Sequence, residues 1–344
     1  MAKRKHKRPA TAGDALELFD ARYEIGDLDG ALEIADAAVR RHPEEATLHH
    51  ARGLALWGLG RAESAATSIQ RAVEINPAPP EPHLDLATIL VEQLGLPDDA
   101  LRILRDAKRS FKEPGLRASM HTVCGMARMS MGEPRTAERE FLKAQKLVPG
   151  DPQIGSVLAE ARFDALDLAG ADTALTEAMR LDPEWARPHW QRALVLDLRG
   201  ETAEADREFE EAARLAPEEY FVPERVDEKE FDRRVETAIA KIPGRFRRHL
   251  ANVEIAVEPY PSEALLREEN LSPLILGLFV GTPITERSFD QADLPPRILI
   301  FQRNLENFCR DQRELIREIG VTVRHEIGHL MGMDEEGVED AGHA

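Results

Sequence analysis

The first two thirds of the chain repeat with a period close to 34 residues, which limits the fold more than any other feature of the sequence. Prolines keep this spacing at positions 43 and 77, and again at positions 149, 183 and 217. Pairs of alanines seven residues apart recur in six units: Ala31 and Ala38, Ala65 and Ala72, Ala100 and Ala107, Ala137 and Ala144, Ala171 and Ala178, Ala205 and Ala212. Such a period is typical of units that bury their apolar faces by stacking on their neighbours.

Within each unit the pattern predicts two helices. Five residues before the first alanine stands a glycine in five units, Gly26, Gly60, Gly95, Gly132 and Gly200, whereas the fifth unit has Leu166. Glycine ends a helix at low cost because it tolerates a positive φ angle. Seven residues make two helical turns, so the paired alanines share one face, where a neighbouring helix can approach closely. The prolines then stop the second helix of the unit.

Residues 12–218 resemble about six tetratricopeptide repeats. The resemblance rests on positions of the second and fourth units that hold the small or large side chains typical of that family. They are Gly53, Gly60, Ala65, Ala72, Gly132, Ala137, Phe141 and Ala144. It implies a mainly α-helical solenoid with a concave groove that binds a protein or peptide. Alignment of the 34-residue period with the sequence predicts which residues face the groove. The apolar candidates are Trp57, Ile89, Met126, Met129, Phe163, Trp190 and Leu194. Such a groove fits an apolar peptide or an amphipathic helix, and the alternative is that several of these residues are core.

Charge and hydropathy restrict the partners. The net charge is −18, so we expect no nucleic-acid partner, because such binding requires a basic face. Residues 1–11 are basic and lack periodicity, which predicts a disordered tail. No apolar run approaches the length of a membrane span, and no apolar signal core follows the basic start. We therefore expect a cytoplasmic protein without a membrane partner, with Cys124 and Cys309 as buried thiols.

A second domain follows the repeats. Residues 219–226 read as a linker, and residues 227–344 predict a small α+β domain. The segment KEFDRRVETAIAK has apolar residues at helical spacing, whereas NVEIAVEPY, LILGLFVG and RILIF predict short strands. A final helix covers DQRELIREIGVTVRHEIGHLMG and ends at Gly332. We expect RILIF to form a sheet edge to which a substrate strand could add.

The final helix carries the motif His-Glu-Ile-Gly-His. His325 and His329 are four residues apart, so one helical face presents both imidazoles, as two ligands of a tetrahedral zinc ion require. Glu326 projects beside them and can take a proton from water, which is the role of a general base in a hydrolase. A turn at Gly332 would return the chain towards the histidines, which makes Glu335 the candidate third ligand and Asp334 its alternative.

Residues 227–344 resemble the small bacterial zincin-like metallopeptidases, whose site reads H-E-[IV]-[AG]-H-H-F-G-x-x-D. The matching segments are LGLFVGTPITER, LPPRILIF and RHEIGHLMGMDE, in the same order as in the family. The resemblance implies a minimal zincin fold, zinc held by His325 and His329, and Glu326 as the catalytic carboxylate. Leu330 and Met331 replace the usual His-Phe pair, and Glu335 stands where aspartate is usual.

Two functions remain open from the sequence. The first is a zinc-dependent peptidase, with a peptide substrate at the metal and a protein or peptide partner in the repeat groove. The second is a non-catalytic interaction scaffold whose zincin domain binds zinc structurally. The glutamate of the motif favours the enzyme, because a structural zinc site has no need of it.

Overall fold

The computed structural model describes residues 11–286 and 296–333. The predicted basic tail lies almost wholly outside the described residues, and so do Asp334 and Glu335. The chain divides into two compact units, Met1–Arg162 and Phe163–Ala344. This division falls inside the repeats, so the last helices of the solenoid belong to the same unit as the C-terminal domain. The predicted domain boundaries at 218 and 227 stay a prediction.

The first unit is built from helices in succession. They are α1 (Ala12–Tyr23), α2 (Leu28–Val39), α3 (Ala46–Gly58), α4 (Ala62–Ile75), α5 (Pro80–Glu92), α6 (Pro97–Asp106), α7 (Pro114–Ser130), α8 (Pro134–Leu147) and α9 (Pro152–Asp164). From α1 to α8 the consecutive helices pack in pairs, and α1 also contacts α3, as α5 contacts α7. This is the stacking that the 34-residue period predicts, and the predicted α-solenoid is confirmed.

The twelve periodic alanines are all buried, with exposed fractions of 0–6%. Each second helix therefore presents its two small residues to a neighbouring helix, as their spacing predicts. Larger residues fill the gaps between the helices, and among them Ile69, Phe141 and Phe209 are at most 1% exposed. The periodic alanines determine how closely the helices approach, and the large residues supply most of the buried apolar area.

A positive φ angle recurs at the turn inside each repeat. The five periodic glycines adopt φ values between 62° and 78°. Leu166, which replaces glycine in the fifth repeat, adopts the same left-handed conformation with a φ of 61°. A side chain makes this conformation unfavourable by about 1–2 kcal/mol. The packing of the repeat therefore holds Leu166 in a backbone conformation that leucine itself disfavours.

The second unit continues the repeats and adds the α+β domain. Its helices and strands after α9 are α10 (Leu168–Leu181), α11 (Ala186–Leu198), α12 (Thr202–Leu215), α13 (Glu228–Lys241), α14 (Gly244–Arg247), β1 (Glu254–Glu258), α15 (Glu263–Glu269), β2 (Gly277–Val280), β3 (Arg297–Phe301), α16 (Gln302–Phe308) and α17 (Gln312–Leu330). The three predicted strands and both predicted helices are present. The short helices α14, α15 and α16 were not predicted.

The described strands form one sheet in the order β1-β3-β2. β3 pairs in parallel with β1, and its other side pairs in antiparallel with β2, with Leu278 opposite Leu299. The expectation that RILIF forms a sheet edge is therefore wrong, because both sides of this strand are paired. Its residues Ile298–Phe301 are at most 4% exposed, as suits a central strand. Helix α17 packs on β2 and β3, and α13 packs on α17.

A buried network of charges joins α11 to α16. The Asp197 carboxylate of α11 is 1% exposed and accepts hydrogen bonds from Arg303 at 2.5 Å and Asn307 at 2.8 Å. Glu306 is also buried and accepts a hydrogen bond from the backbone N–H of Val226 at 3.1 Å. Arg225 donates to Asn307 at 2.7 Å. The last repeat, the linker and α16 are therefore fixed together by polar contacts that lie out of water.

No helix in residues 11–286 or 296–333 has the length and apolar character needed to cross a membrane.

Candidate metal site and cleft

Helix α17 positions the candidate metal site. It begins at Asp311, whose carboxylate accepts hydrogen bonds from the backbone N–H groups of Arg313 and Glu314 at 2.8 Å each. The bonds from Glu314 and then Arg313 hold the pKa of the Asp311 carboxyl below its usual range. An apolar stripe on the helix is buried in the core of the domain and comprises Leu315, Ile319, Val323, Ile327 and Leu330. The adjacent face of α17 is thereby turned towards a cleft.

The two histidines of the motif lie side by side on this helix. Their Nε2 atoms are 3.0 Å apart. Two imidazoles that bind one tetrahedral zinc ion at about 2.0–2.1 Å have nitrogens about 3.3 Å apart, which is close to the observed separation. His329 Nδ1 lies 3.3 Å from the backbone oxygen of Met333, to which its N–H can donate. This hydrogen bond leaves the lone pair on Nε2, the tautomer that a metal ligand requires. The pair fits a zinc ion.

Glu326 lies against the backbone of strand β2. It is 5% exposed, and a Cβ atom on Gly277 would stand 3.0 Å from its Oε1 atom and 2.7 Å from Cγ2 of Thr322. The absence of a side chain at position 277 therefore lets α17 approach the sheet closely at the carboxylate. The contact restricts where the Glu326 carboxylate can lie.

The helix ends in a turn at Gly332. This residue has a φ of 83°, and a Cβ atom there would stand 2.0 Å from Oγ1 of Thr285. Both the backbone conformation and the lack of space therefore exclude a side chain. The turn that the sequence predicts at Gly332 is present. The candidate ligands Glu335 and Asp334 lie outside the described residues, within which no group of three His, Cys, Asp or Glu side chains could hold a metal.

A cleft of about 740 Å³ lies over the two histidines and Glu326. One wall is β2 with the segment before it, from Leu271 to Leu278, and the other wall is α17. Much of the lining is apolar and includes Phe279 of β2, Val321 of α17 and Met333. The three motif side chains are thus in a concave, largely apolar site of the size that holds a ligand.

The groove candidates of the first unit have different environments. Trp57 is half-buried against the core of the early repeats, and Met126 and Met129 are half-buried against the cluster around Phe141. Ile89 is fully buried, so its assignment to the groove is wrong. Helices in a solenoid are covered by the next repeat as well as by their partner, and Ile89 lies in that contact.

The groove candidates of the second unit are Phe163, Trp190 and Leu194. Phe163 is 7% exposed and is a core residue, so its assignment to the groove is also wrong. Trp190 and Leu194 are half-buried beside the cluster around Phe209. The linker covers Trp190, since the rings of Tyr220 and Phe221 lie 5.3 and 5.1 Å from its ring.

The two cysteines differ in burial. Cys309 is 2% exposed, as expected, and burial, followed by the charge of Glu314, raises its pKa to about 12. Cys124 is half-buried, so the expectation of a buried thiol is wrong there. Burial, followed by the charge of Glu140, raises the pKa of Cys124 to about 11, and both shifts favour the protonated thiol at neutral pH.

Glu318 and Thr322 also line the cleft and were missed in the sequence. They precede His325 by seven and three residues, so both lie on the helical face that carries the motif. Extending that face backwards along α17 would have identified them. No local sequence pattern predicts that Gly277 makes room for Glu326, because this contact depends on the packing of β2 against the helix.

The comparisons with known proteins agree with this arrangement. Residues 250–343 match the family model of the zincin-like metallopeptidases, and residues 16–80 match the model of the tetratricopeptide repeat. The chain carries tetratricopeptide repeats and a zincin-like metallopeptidase domain. The match to the zincin-like model includes α17 and its motif. No curated protein matches the chain.

Several solved structures are similar to the chain. PilW, described as a widely conserved type IV pilus biogenesis factor, has a TM-score of 0.56 and 16% identity over 60% of this chain and 94% of its own. PilF of Pseudomonas aeruginosa has a TM-score of 0.52 and 16% identity over 60% and 92%. A tetratricopeptide repeat protein from Parabacteroides merdae has a TM-score of 0.52 and 18% identity over 62% and 82%. These likenesses concern the fold alone.

Proposed function

We propose that this chain is a zinc-dependent peptidase whose repeats bind a protein or peptide partner. The observation that carries the proposal is the geometry of the motif. The Nε2 atoms of His325 and His329 lie 3.0 Å apart, and Glu326 lines the same 740 Å³ cleft. The match of this region to zincin-like metallopeptidases supports the same chemistry.

His325 and His329 would hold the zinc, with Glu335 as third ligand and Asp334 as its alternative. Zinc supplies a Lewis acid that polarises a carbonyl group and lowers the pKa of water. The Nδ1 contact of His329 with Met333 orients this ring towards the cleft. Glu335 follows the turn at Gly332 by three residues and His329 by six, and this spacing in the sequence supports it as the third ligand.

Glu326 would act as the general base. Its carboxylate accepts a proton from the attacking water as the oxygen adds to the scissile carbonyl carbon. The same proton then passes to the amide nitrogen as the C–N bond breaks, which leaves a carboxylic acid and an amine; transfer of the acid's proton to the amine gives the carboxylate and the ammonium ion. The packing of Glu326 against Gly277 supports this role, because a base must be held near one position to transfer the proton.

The repeats would bring a partner to the enzyme. Tetratricopeptide repeats form grooves for peptides and proteins, and the first unit presents Trp57, Met126 and Met129 as half-buried apolar side chains. In the second unit the linker residues Tyr220 and Phe221 already contact Trp190. The groove of the first unit is thus the better candidate for a partner from outside the chain.

A cleavage assay on a peptide library tests the function. The purified full chain is incubated with a digest of a proteome, and new peptide ends are identified by mass spectrometry. Cleavage that a chelator stops and added zinc restores is the expected result. A protein that binds about one zinc per chain but produces no new ends would contradict the enzyme and favour a scaffold.

A further inference from the structure

The charged side chains that line the cleft are acidic or histidine. Glu318 and Glu326 are the two carboxylates, and the described lining contains no lysine or arginine. The rest of the wall is mostly apolar, with Leu271, Ile275 and Val321 as examples. A cation that enters the described part of the cleft would therefore meet acidic side chains and no lysine or arginine.

Glu318 has no assigned task in the fold. It is half-buried, and within residues 11–286 and 296–333 it makes no hydrogen bond or ion pair. Glu314, one turn earlier on the same helix, accepts hydrogen bonds from the backbone of Arg310 and from Arg317. A half-buried carboxylate that only stabilises a helix is expected to accept hydrogen bonds, as Glu314 does and Glu318 does not.

The position of Glu318 relates it to the candidate metal site. It precedes His325 by seven residues, which is two turns, so both side chains lie on the face that lines the cleft. The two positions are about 10 Å apart along the helix axis. An extended peptide advances about 3.3 Å per residue, so a substrate that ran along the helix axis would cover this distance with about three residues.

We infer that Glu318 is a specificity-determining residue that binds a positively charged group of the peptide substrate about three residues from the scissile bond. The inference rests on the proposed peptidase function. The group is an arginine or lysine side chain, or the free amino terminus of a short peptide. A charge-assisted hydrogen bond to the carboxylate would hold the substrate in register, while the apolar wall accommodates the residues in between.

A binding measurement tests this assignment without relying on cleavage. The full-length, zinc-loaded Glu326→Gln variant is titrated into fluorescent octapeptides with blocked termini. Each peptide carries one arginine or, in its matched partner, one citrulline, which has the same shape without the charge. The arginine is moved through all positions. A second pair of peptides, with a free and an acetylated amino terminus, tests the alternative cation.

At one position the charged peptide should bind about tenfold more tightly than its neutral partner. Adding Glu318→Gln should remove this preference, and Glu318→Asp should retain part of it. The matched control is Glu314→Gln, on the same helix but outside the cleft lining, which should leave the preference intact. With turnover restored, the loss caused by Glu318→Gln should fall on KM rather than on kcat.

The outcomes separate the two proposals. Equal binding of charged and neutral peptides, no binding of any peptide, or a preference that survives Glu318→Gln would each overturn the role of Glu318. If cleavage depends on Glu326 but shows no such preference, the peptidase stands and the specificity assignment fails. If the preference depends on Glu318 but no peptide is cleaved, the cation site stands and the peptidase proposal fails.

Discussion

The Nε2 atoms of His325 and His329 lie 3.0 Å apart across one turn of α17, close to the spacing of two imidazoles on one zinc ion. His329 is oriented by the backbone oxygen of Met333, so the end of the helix contributes to the site as well as the motif itself. Under the proposed function, this arrangement in the folded chain would reduce the cost of binding zinc.

Zinc binding should depend on both histidines. His325→Ala and His329→Ala each remove a ligand, so the zinc content should fall from about one equivalent per chain to near zero. Elemental analysis after dialysis measures this. His189→Ala is the matched control, since His189 lies in the repeats and bonds to Glu208 at 2.6 Å. Full retention of zinc by either motif variant would rule out the site.

The third ligand is predicted to be Glu335. Glu335→Ala should weaken zinc binding by a larger factor than Asp334→Ala, because Glu335 stands six residues after His329, where the sequence predicts the third ligand. A competition with a chromophoric chelator ranks the two variants. A stronger effect of Asp334→Ala would show that the turn brings the neighbouring carboxylate to the metal.

Asp197→Ala should loosen the junction between the last repeat and α16. Its carboxylate is 1% exposed and accepts hydrogen bonds from Arg303 and Asn307, so its loss leaves these donors without that acceptor and leaves Arg303 facing the more distant Glu306 carboxylate, at 3.4 Å. Because Glu306 still compensates part of the Arg303 charge, the cost should lie at the lower end of the range of about 3–5 kcal/mol for breaking a buried ion pair. Hydrogen exchange of the full chain should show faster opening of α11 and α16.

Asp206→Ala is the control for the junction. Asp206 bonds to Arg225 at 2.9 Å, but its side chain is 43% exposed, so its removal should cost no more than about 1 kcal/mol. Equal protection of α11 and α16 in the wild type and Asp197→Ala would mean that the buried network does not hold the two helices together.

Leu166→Gly should stabilise the protein. Leu166 has a φ of 61°, and glycine adopts this conformation without the penalty of a Cβ atom. The loss of a half-buried side chain and the freer unfolded chain offset part of the gain, so the net effect should be about 0.5–1 kcal/mol. Thermal unfolding of the full chain should show a higher midpoint.

A change from glycine at Gly132 tests whether the positive φ angle is the cause of the effect. Its φ is 70°, and a Cβ atom there would meet nothing within 4 Å, so Gly132→Ala changes the backbone preference without a steric clash. It should destabilise by about 1–2 kcal/mol. A lower midpoint for Leu166→Gly would show that the contacts of the leucine outweigh the strain of its backbone.

Local patterns predicted the parts of the fold that local physics determines. The alanine pairs identified twelve buried positions, because a period of 34 residues and a spacing of two turns leave little choice of face. The motif identified the histidines for the same reason, since four residues fix their separation on a helix. Leu166 broke the glycine series and still takes the glycine conformation.

Contacts between residues that are distant in the sequence could not be predicted from local patterns. RILIF reads as a short strand, but its central place follows from pairing with β1 and β2, which no local pattern records. Ile89 and Phe163 lie on apolar faces that either a groove or a neighbouring repeat could cover. No local pattern marks Asp197 as buried, because its hydrogen-bond donors Arg303 and Asn307 lie 106 and 110 residues later. The seven-residue helices α15 and α16 are too short to show a period.

The central claim is that Glu326 is the base of a hydrolase, and Glu326→Gln tests it most directly. The amide keeps the size of the side chain but cannot accept the proton of the attacking water. Zinc content and the thermal midpoint should therefore stay near those of the wild type, while chelator-sensitive peptide cleavage falls by about two to four orders of magnitude. Cleavage that persists at the wild-type rate in the zinc-loaded variant would contradict this account.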